Sequence, residues 1–159
     1  MILWYAAGAV FGVWNVFQSP GLDFRFVALG ALLPLVVDVP FGEQSVGHSL
    51  GATVLLLAAV MVSTAGRGHR LVRRRIIGLP IGAFCGLVLS GAWATKEVFW
   101  WPAFGTDLPG ADLLASPAVV VVEEVLGLLA AGWVWVRFGL SDRERRRRFW
   151  RTGRLEVVA

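Results

Sequence analysis

The chain has 159 residues, of which 57% are apolar and only 16% charged, with a mean hydropathy of +0.68. A soluble domain of this length carries about a quarter charged residues and under half apolar ones, which argues against a water-soluble monomer and excludes intrinsic disorder. Cys85 is the sole cysteine, so a disulfide scaffold is excluded too. The formal charge is +4, and 13 of the 15 basic residues fall in two segments, Arg67 to Arg75 and Arg137 to Arg154; only Arg25 and Lys96 lie elsewhere. That layout points to a membrane protein with two basic cytoplasmic faces and away from a nucleic-acid binder.

Five apolar stretches follow one another along a single domain. Ile2 to Phe17 comes first. Met1-Ile2-Leu3-Trp4-Tyr5 lacks the positive start of a secretory signal, so this stretch is expected as a retained helix. At ~1.5 Å per residue it spans roughly 24 Å, short for a ~30 Å hydrocarbon core. Phe24 to Asp38 is also short and carries Pro34, so it is expected to be tilted or re-entrant. Val46 to Ala65 has ordinary length, and Ile76 to Trp101 is longer, with Pro80 near its start. Pro102 to Ser116 has turn chemistry in Pro102, Gly105, Pro109 and Gly110, and Pro117 to Val136 is the fifth stretch.

Lys and Arg accumulate in short cytoplasmic loops. The first basic segment joins the third and fourth stretches and the second follows the fifth, so both are expected in the cytoplasm. Counting back through five spans puts the amino terminus outside and the carboxyl terminus in the cytoplasm; if Phe24–Asp38 does not span, the amino terminus flips. The expectation is an all-α polytopic bundle of four to five spans in the cytoplasmic membrane, with residues 1–137 as the bundle and 138–159 as a basic juxtamembrane tail. Glu43, Asp107 and Asp112 fall in the expected outer loops. Trp4, Trp100 and Trp101 would mark the outer interface, and Trp14, Trp133 and Trp135 the inner one. No internal repeat is evident, and the chain is small for an inverted-repeat transporter.

Ionisable residues within membrane segments are costly and therefore candidate functional groups. Asp38 ends the second stretch and His48 opens the third, so the pair could share a metal or a proton, or sit as two interfacial polar groups. Glu123 and Glu124 lie ~10 Å below the start of the fifth stretch, about 100° apart on a helix, so at least one should face the interior. There it could serve as a metal ligand, a general base or a proton carrier, or as a buried carboxylate paired to Lys96 or His48. Gly78, Gly82, Gly86, Ser90 and Ala94 recur every fourth residue, a small-residue face that lets another helix approach closely. Tight packing within the chain and a homodimer seam are the alternatives. Gly8/Gly12 and Gly47/Gly51 are shorter versions of the same spacing.

Ser141-Asp142-Arg143-Glu144 fits a capping box ahead of a basic run. A short interfacial helix there would set Arg145, Arg146, Arg147, Arg148 and Trp150 against anionic lipid, or the arginines would only fix topology. Arg67 to Arg75 with His69 invites the same two readings. Phosphate-loop, nucleophile-elbow and zinc-protease signatures are missing, and Cys85 is expected as an apolar filler.

Gly30-Ala31-Leu32-Leu33-Pro34-Leu35-Val36-Val37-Asp38-Val39-Pro40, then Gly47-His48-Ser49-Leu50, Leu79-Pro80-Ile81-Gly82 and Val98-Phe99-Trp100-Trp101-Pro102 resemble the membrane-bound metal-dependent hydrolase family, some of whose members are described as LexA-binding. The resemblance covers roughly residues 28 to 105, in the order of actinobacterial members. It implies ligands from an Asp after the first Pro, an Asp three residues on, a His-Ser or His-Thr pair, and a later helix with a His followed four residues on by an Asp. Asp38 matches the second Asp and His48 the first His, while Leu35, Gly86 and Ser90 stand where the other donors are expected. Glu124 matches an acidic position in the last helix. A catalytic metal needs about three protein ligands and an open position.

The resemblance therefore implies a degenerate site and a non-catalytic or accessory protein that contacts lipid or a partner membrane protein through the small-residue face, with no cofactor. A residual hydrolase is the alternative, holding zinc, manganese or iron on Asp38, His48 and Glu124 and acting on a lipid-linked ester or phosphoester at the outer face. A proton or ion path through Glu123 or Glu124 is a third.

Overall fold

Apolar runs free of interior breakers become helices, and capping groups set their ends. The computed structural model describes residues 1–18, 21–66, 68–106, 108, 110–113 and 115–155. Helix α1 (Ile2–Phe17) stops at Gln18, which turns left-handed at φ 44°. Helix α2 (Phe24–Asp38) is capped by the Asp23 side chain, which accepts from the Arg25 N–H, and runs on into a 3-10 turn, Val39–Phe41. Helix α3 (Leu50–Ser63) starts at Ser49, whose hydroxyl accepts from the Ala52 N–H. The basic α4 (Arg70–Ile76) leads into α5 (Gly78–Leu89), followed by a 3-10 turn, Ala92–Ala94, and the short α6 (Lys96–Phe99). Helix α7 (Pro117–Arg137) has proline at its first position, where a missing N–H costs nothing, and α8 (Arg143–Thr152) closes the chain. Among the described residues the only strands are β1 (Glu43–Gln44) and β2 (Ala111–Asp112), an antiparallel pair with Glu43 opposite Asp112.

Close contacts fix the directions. Gly127 lies on the Leu3–Trp4 backbone, the Phe11 ring meets Trp133 at 4.9 Å, and Trp14 meets Phe138 at 4.8 Å, so α1 and α7 run parallel. Gly78, Gly82 and Gly86 lie against Asp23, Val27 and Ala31 in register, so α2 and α5 are parallel to each other. The Trp4 indole N–H donates to the Leu89 carbonyl at 3.2 Å, which sets α5 antiparallel to α1. Thus α1, α2, α3, α5 and α7 alternate in direction. One end gathers α4, α8 and the start of α2; the other gathers the end of α2, the start of α3 and the β1–β2 pair. Tyr5, Val13, Trp14, Phe24, Val27, Ala31 and Phe138 form the packed centre.

Several expectations change. Pro34 sits inside a continuous α2, because packing against α1 and α5 outweighs the ~3 kcal/mol of an interior proline. The third stretch begins as a 3-10 turn, Val46–His48, and is helical only from Leu50. The fourth is several pieces, since Gly91 adopts φ 72° and ends α5 with Ser90 as its cap. The cap of α8 is Asp142, which accepts from the Glu144 N–H at 2.8 Å, and Ser141 is not the cap. Residues 138–155 are packed onto the bundle: Phe138, Leu140 and Leu155 join its centre, and the Gly153 carbonyl accepts from the Phe24 N–H at 2.8 Å. The expected outer-loop residue Asp107 and the turn residue Pro109 lie outside the described residues, as does Arg67 of the first basic segment.

Two stretches among the described residues, Phe24–Phe41 and Pro117–Arg137, are long and apolar enough to cross a membrane; Ile2–Phe17 and Leu50–Ser63 are shorter apolar helices.

Candidate functional site

After α2 the chain turns on Gly42, at φ 72°, and doubles back so that residues 45–48 close over the helix end. Asp38 lies beneath that loop with 0% of its surface exposed, and His48 beside it with 1%. Asp38 Oδ1 accepts from the Ser45 hydroxyl at 2.7 Å and the Gly47 N–H at 2.9 Å. Oδ2 accepts from the Ser45 N–H at 2.7 Å and the His48 N–H at 3.2 Å, and stands 2.6 Å from His48 Nδ1. An ionised carboxylate only accepts, so Nδ1 carries a proton in this contact. Among the described residues Nε2 has no hydrogen-bond partner. Gly47 is required here, because a Cβ would stand 2.7 Å from both Asp38 Oδ1 and the Pro34 carbonyl oxygen.

The two residues singled out by spacing are thus brought together, in a buried hydrogen-bonded clamp rather than as exposed interfacial groups. Ser45 and Gly47 complete it and were missed, although a Ser and a Gly just ahead of a His, beyond a turn glycine, are the residues that offer main-chain donors to a nearby carboxylate. Beside the clamp lies a cavity of about 250 Å³ lined by Pro34, Val37, Val46, Gly47, Thr53 and Leu56 among others. Its walls are almost wholly apolar, and neither Asp38 nor His48 lines it.

Glu124 is elsewhere. Its carboxylate pairs with the Met1 ammonium group across the parallel α1–α7 contact, not with Lys96 or His48. Glu123 Oε2 is buried and has no hydrogen-bond partner among the described residues. No other ionisable residue occurs on α7 before Arg137, so the two carboxylates form one level rather than a chain of sites. Among the described residues no three His, Cys, Asp or Glu side chains come together as a metal-binding group. Asp38 has about four lone-pair positions and five donors already facing them. The residues present therefore do not fit the metal centre that the family resemblance implies: two of its three remaining donors are committed to other bonds.

The small-residue face is filled from inside the chain. A Cβ at Gly82 would overlap the Val27 carbonyl, one at Gly86 the Ala31 carbonyl, and one at Gly30 the Leu79 carbonyl. Gly78 lies 2.9 Å, by the same measure, from the Asp23 carbonyl. The face ends there: the Ser90 hydroxyl turns back to the Leu87 carbonyl at 2.9 Å, and Ala94 is exposed on a separate turn. No groove remains at Gly82 and Gly86 for a lipid tail or a partner. Leu35, where the resemblance expects a ligand, packs against the apolar centre.

At the opposite end α8 presents Arg145, Arg147 and Trp150 outward. Arg146 stacks 5.9 Å over the Trp135 ring and reaches the Leu140 carbonyl, while Arg148 lies 3.8 Å from Glu144. Asp23 and Arg25, which sequence inspection did not single out, tie this end together. Asp23 Oδ2 accepts from Arg25 Nη2 at 2.7 Å, and Arg25 Nη1 donates to the Trp150 carbonyl at 2.6 Å. An Asp immediately before an apolar run is a cap signature and could have been found.

Compared with known proteins, the chain matches no family model, no curated protein and no solved structure.

Proposed function

We propose that the chain is a five-span, non-catalytic protein of the cytoplasmic membrane, related in plan to membrane-bound metal-dependent hydrolases, whose former ligand positions now hold its helices together. The observation that carries this reading is the Asp38 clamp: its oxygens are taken up by residues 45–48, while Gly86 packs on α2 where a ligand would stand. The work left to the molecule is contact with lipid or with a partner membrane protein, through its outer apolar belt and its basic end.

The belt supports the membrane placement. Only 6% of the α7 window is buried, unlike a core helix of a soluble domain. Val121, Leu128 and Val136 on α7 are exposed, as are Val16 and Phe17 on α1, Leu55 and Val62 on α3 and Phe84 on α5. Large apolar side chains exposed on four helices fit a lipid-facing belt better than a soluble surface. The alternating helices and the gathering of both basic segments at one end support an outside amino terminus and a cytoplasmic carboxyl terminus. Helices α1, α3 and α5 are short, at ~24, ~21 and ~18 Å, and a locally thinned bilayer or their flanking turns make up the difference. Cysteine labelling of intact cells tests the topology. In a Cys85→Ser background, Glu97→Cys is expected to react with an impermeant maleimide and Arg147→Cys only after permeabilisation; the reverse pattern overturns the orientation.

A residual hydrolase acting on a lipid-linked ester or phosphoester is the second reading. The orientation of His48 favours it: Asp38 holds its Nδ1, which leaves Nε2 outside the clamp's hydrogen bonds among the described residues.

A further inference from the structure

We propose that the cleft where α4 meets the carboxyl-terminal turn is a specific site for the phosphate group of an anionic lipid. Arg74 and Arg75 on α4 and Arg154 after α8, nearly 80 residues apart in sequence, converge with Leu71, Thr152 and Asp23 around a cavity of about 60 Å³. Among the described residues none of the three arginine side chains has an ion-pair partner, and all three residues are exposed. Asp23, the one acid in the wall among the described residues, is already paired. It is 1% exposed, and Arg25 grips it through Nε at 3.0 Å and Nη2 at 2.7 Å. Among the described residues the cleft therefore carries a charge near +3.

The wall that carries Arg154 is fixed before any ligand arrives. Gly153 adopts φ 69° and lies so close to the Asp23 carboxylate that a Cβ would overlap it. Its carbonyl accepts from the Phe24 N–H, and Leu155 beyond it is 1% exposed. A site built in advance binds without the cost of ordering a loose tail. The cavity is small, on the scale of a single phosphate group. Leu71, 73% exposed at its edge, offers the apolar surface along which the glycerol end of a lipid would leave. Three guanidinium groups suit the several oxygens of a phosphate, and basic pockets between helices at the cytoplasmic face are where such headgroups bind. This inference rests on the membrane reading above.

The test uses the full chain in neutral detergent, with its thermal midpoint titrated by dihexanoyl phosphatidylglycerol, by dihexanoyl phosphatidylcholine and by inorganic phosphate. Phosphatidylglycerol is expected to raise the midpoint saturably and phosphatidylcholine not to. At ~1 kcal/mol per basic residue, Arg154→Gln should weaken the effect about fivefold and the triple Arg74→Gln/Arg75→Gln/Arg154→Gln variant about a hundredfold. Arg145→Gln/Arg147→Gln on α8 should leave it within twofold. Unchanged affinity in both Arg154→Gln and the triple variant, or an equal loss in the α8 variant, overturns the specific cleft and leaves general attraction to anionic lipid standing. Equal stabilisation by inorganic phosphate assigns the cleft to a free anion and overturns the lipid. A wild-type chain indifferent to phosphatidylglycerol sinks both the cleft and the lipid contact.

Discussion

Replacing Gly82 by alanine adds one methyl group where α5 lies directly on the main chain of α2. Two effects oppose each other. Alanine is a better helix former than glycine by about 1 kcal/mol, which favours the variant. The added Cβ would overlap the Val27 carbonyl carbon and oxygen and press on the Ala31 nitrogen, and these are main-chain atoms of α2 that no rotamer change can move. Separating α2 from α5 would also loosen Gly86 against Ala31 and Gly30 against Leu79. Overpacking of this kind costs typically 1–3 kcal/mol even where side chains can yield, and here they cannot, so a net loss of roughly 1–3 kcal/mol is expected. Gly132 on α7 is the control, since a Cβ there meets nothing within 4 Å; Gly132→Ala should be neutral or gain up to about 1 kcal/mol. Denaturant titration of the purified chain in neutral micelles measures both. A Gly82→Ala variant as stable as wild type, or a Gly132→Ala variant that loses as much, would refute the packing of α2 on α5.

Asp38→Asn removes the charge that five donors converge on and sets an amide N–H₂ against some of them. A loss of about 3–5 kcal/mol is expected in the same titration, and one under 1 kcal/mol would contradict the clamp. Leu128→Arg, at an outward position 63% exposed near the middle of α7, should cost about 2.5–3.5 kcal/mol of insertion and reduce the share of protein resistant to carbonate extraction. A variant that stays folded and becomes more soluble would show that this face meets water.

Much of the architecture is legible in the sequence because uninterrupted apolar runs leave few alternatives to helices. The exceptions are local. The four-residue spacing from Gly78 to Ala94 suggests one long face, but Gly91 takes the left-handed conformation that ends a helix, so a repeat of small residues outlasts the helix that should carry it. Pro34 looks like a break, and only the packing of α2 on both sides shows why it is not. Spacing brings Asp38 and His48 together correctly. It does not show that residues 45–48 would supply main-chain N–H groups, because that depends on how Gly42 turns the chain. The pairing of Glu124 with the Met1 amine is illegible, since it arises from the parallel course of α1 and α7, whose sequences are more than 100 residues apart.

Metal content after metal-supplemented purification is the most direct test of the central claim, that the surviving Asp38–His48 pair is structural. Wild-type protein and His48→Ala are expected to carry the same sub-stoichiometric traces of zinc, manganese and iron. One equivalent of any of these in the wild type, lost in His48→Ala, would contradict the account and return the protein to the hydrolases.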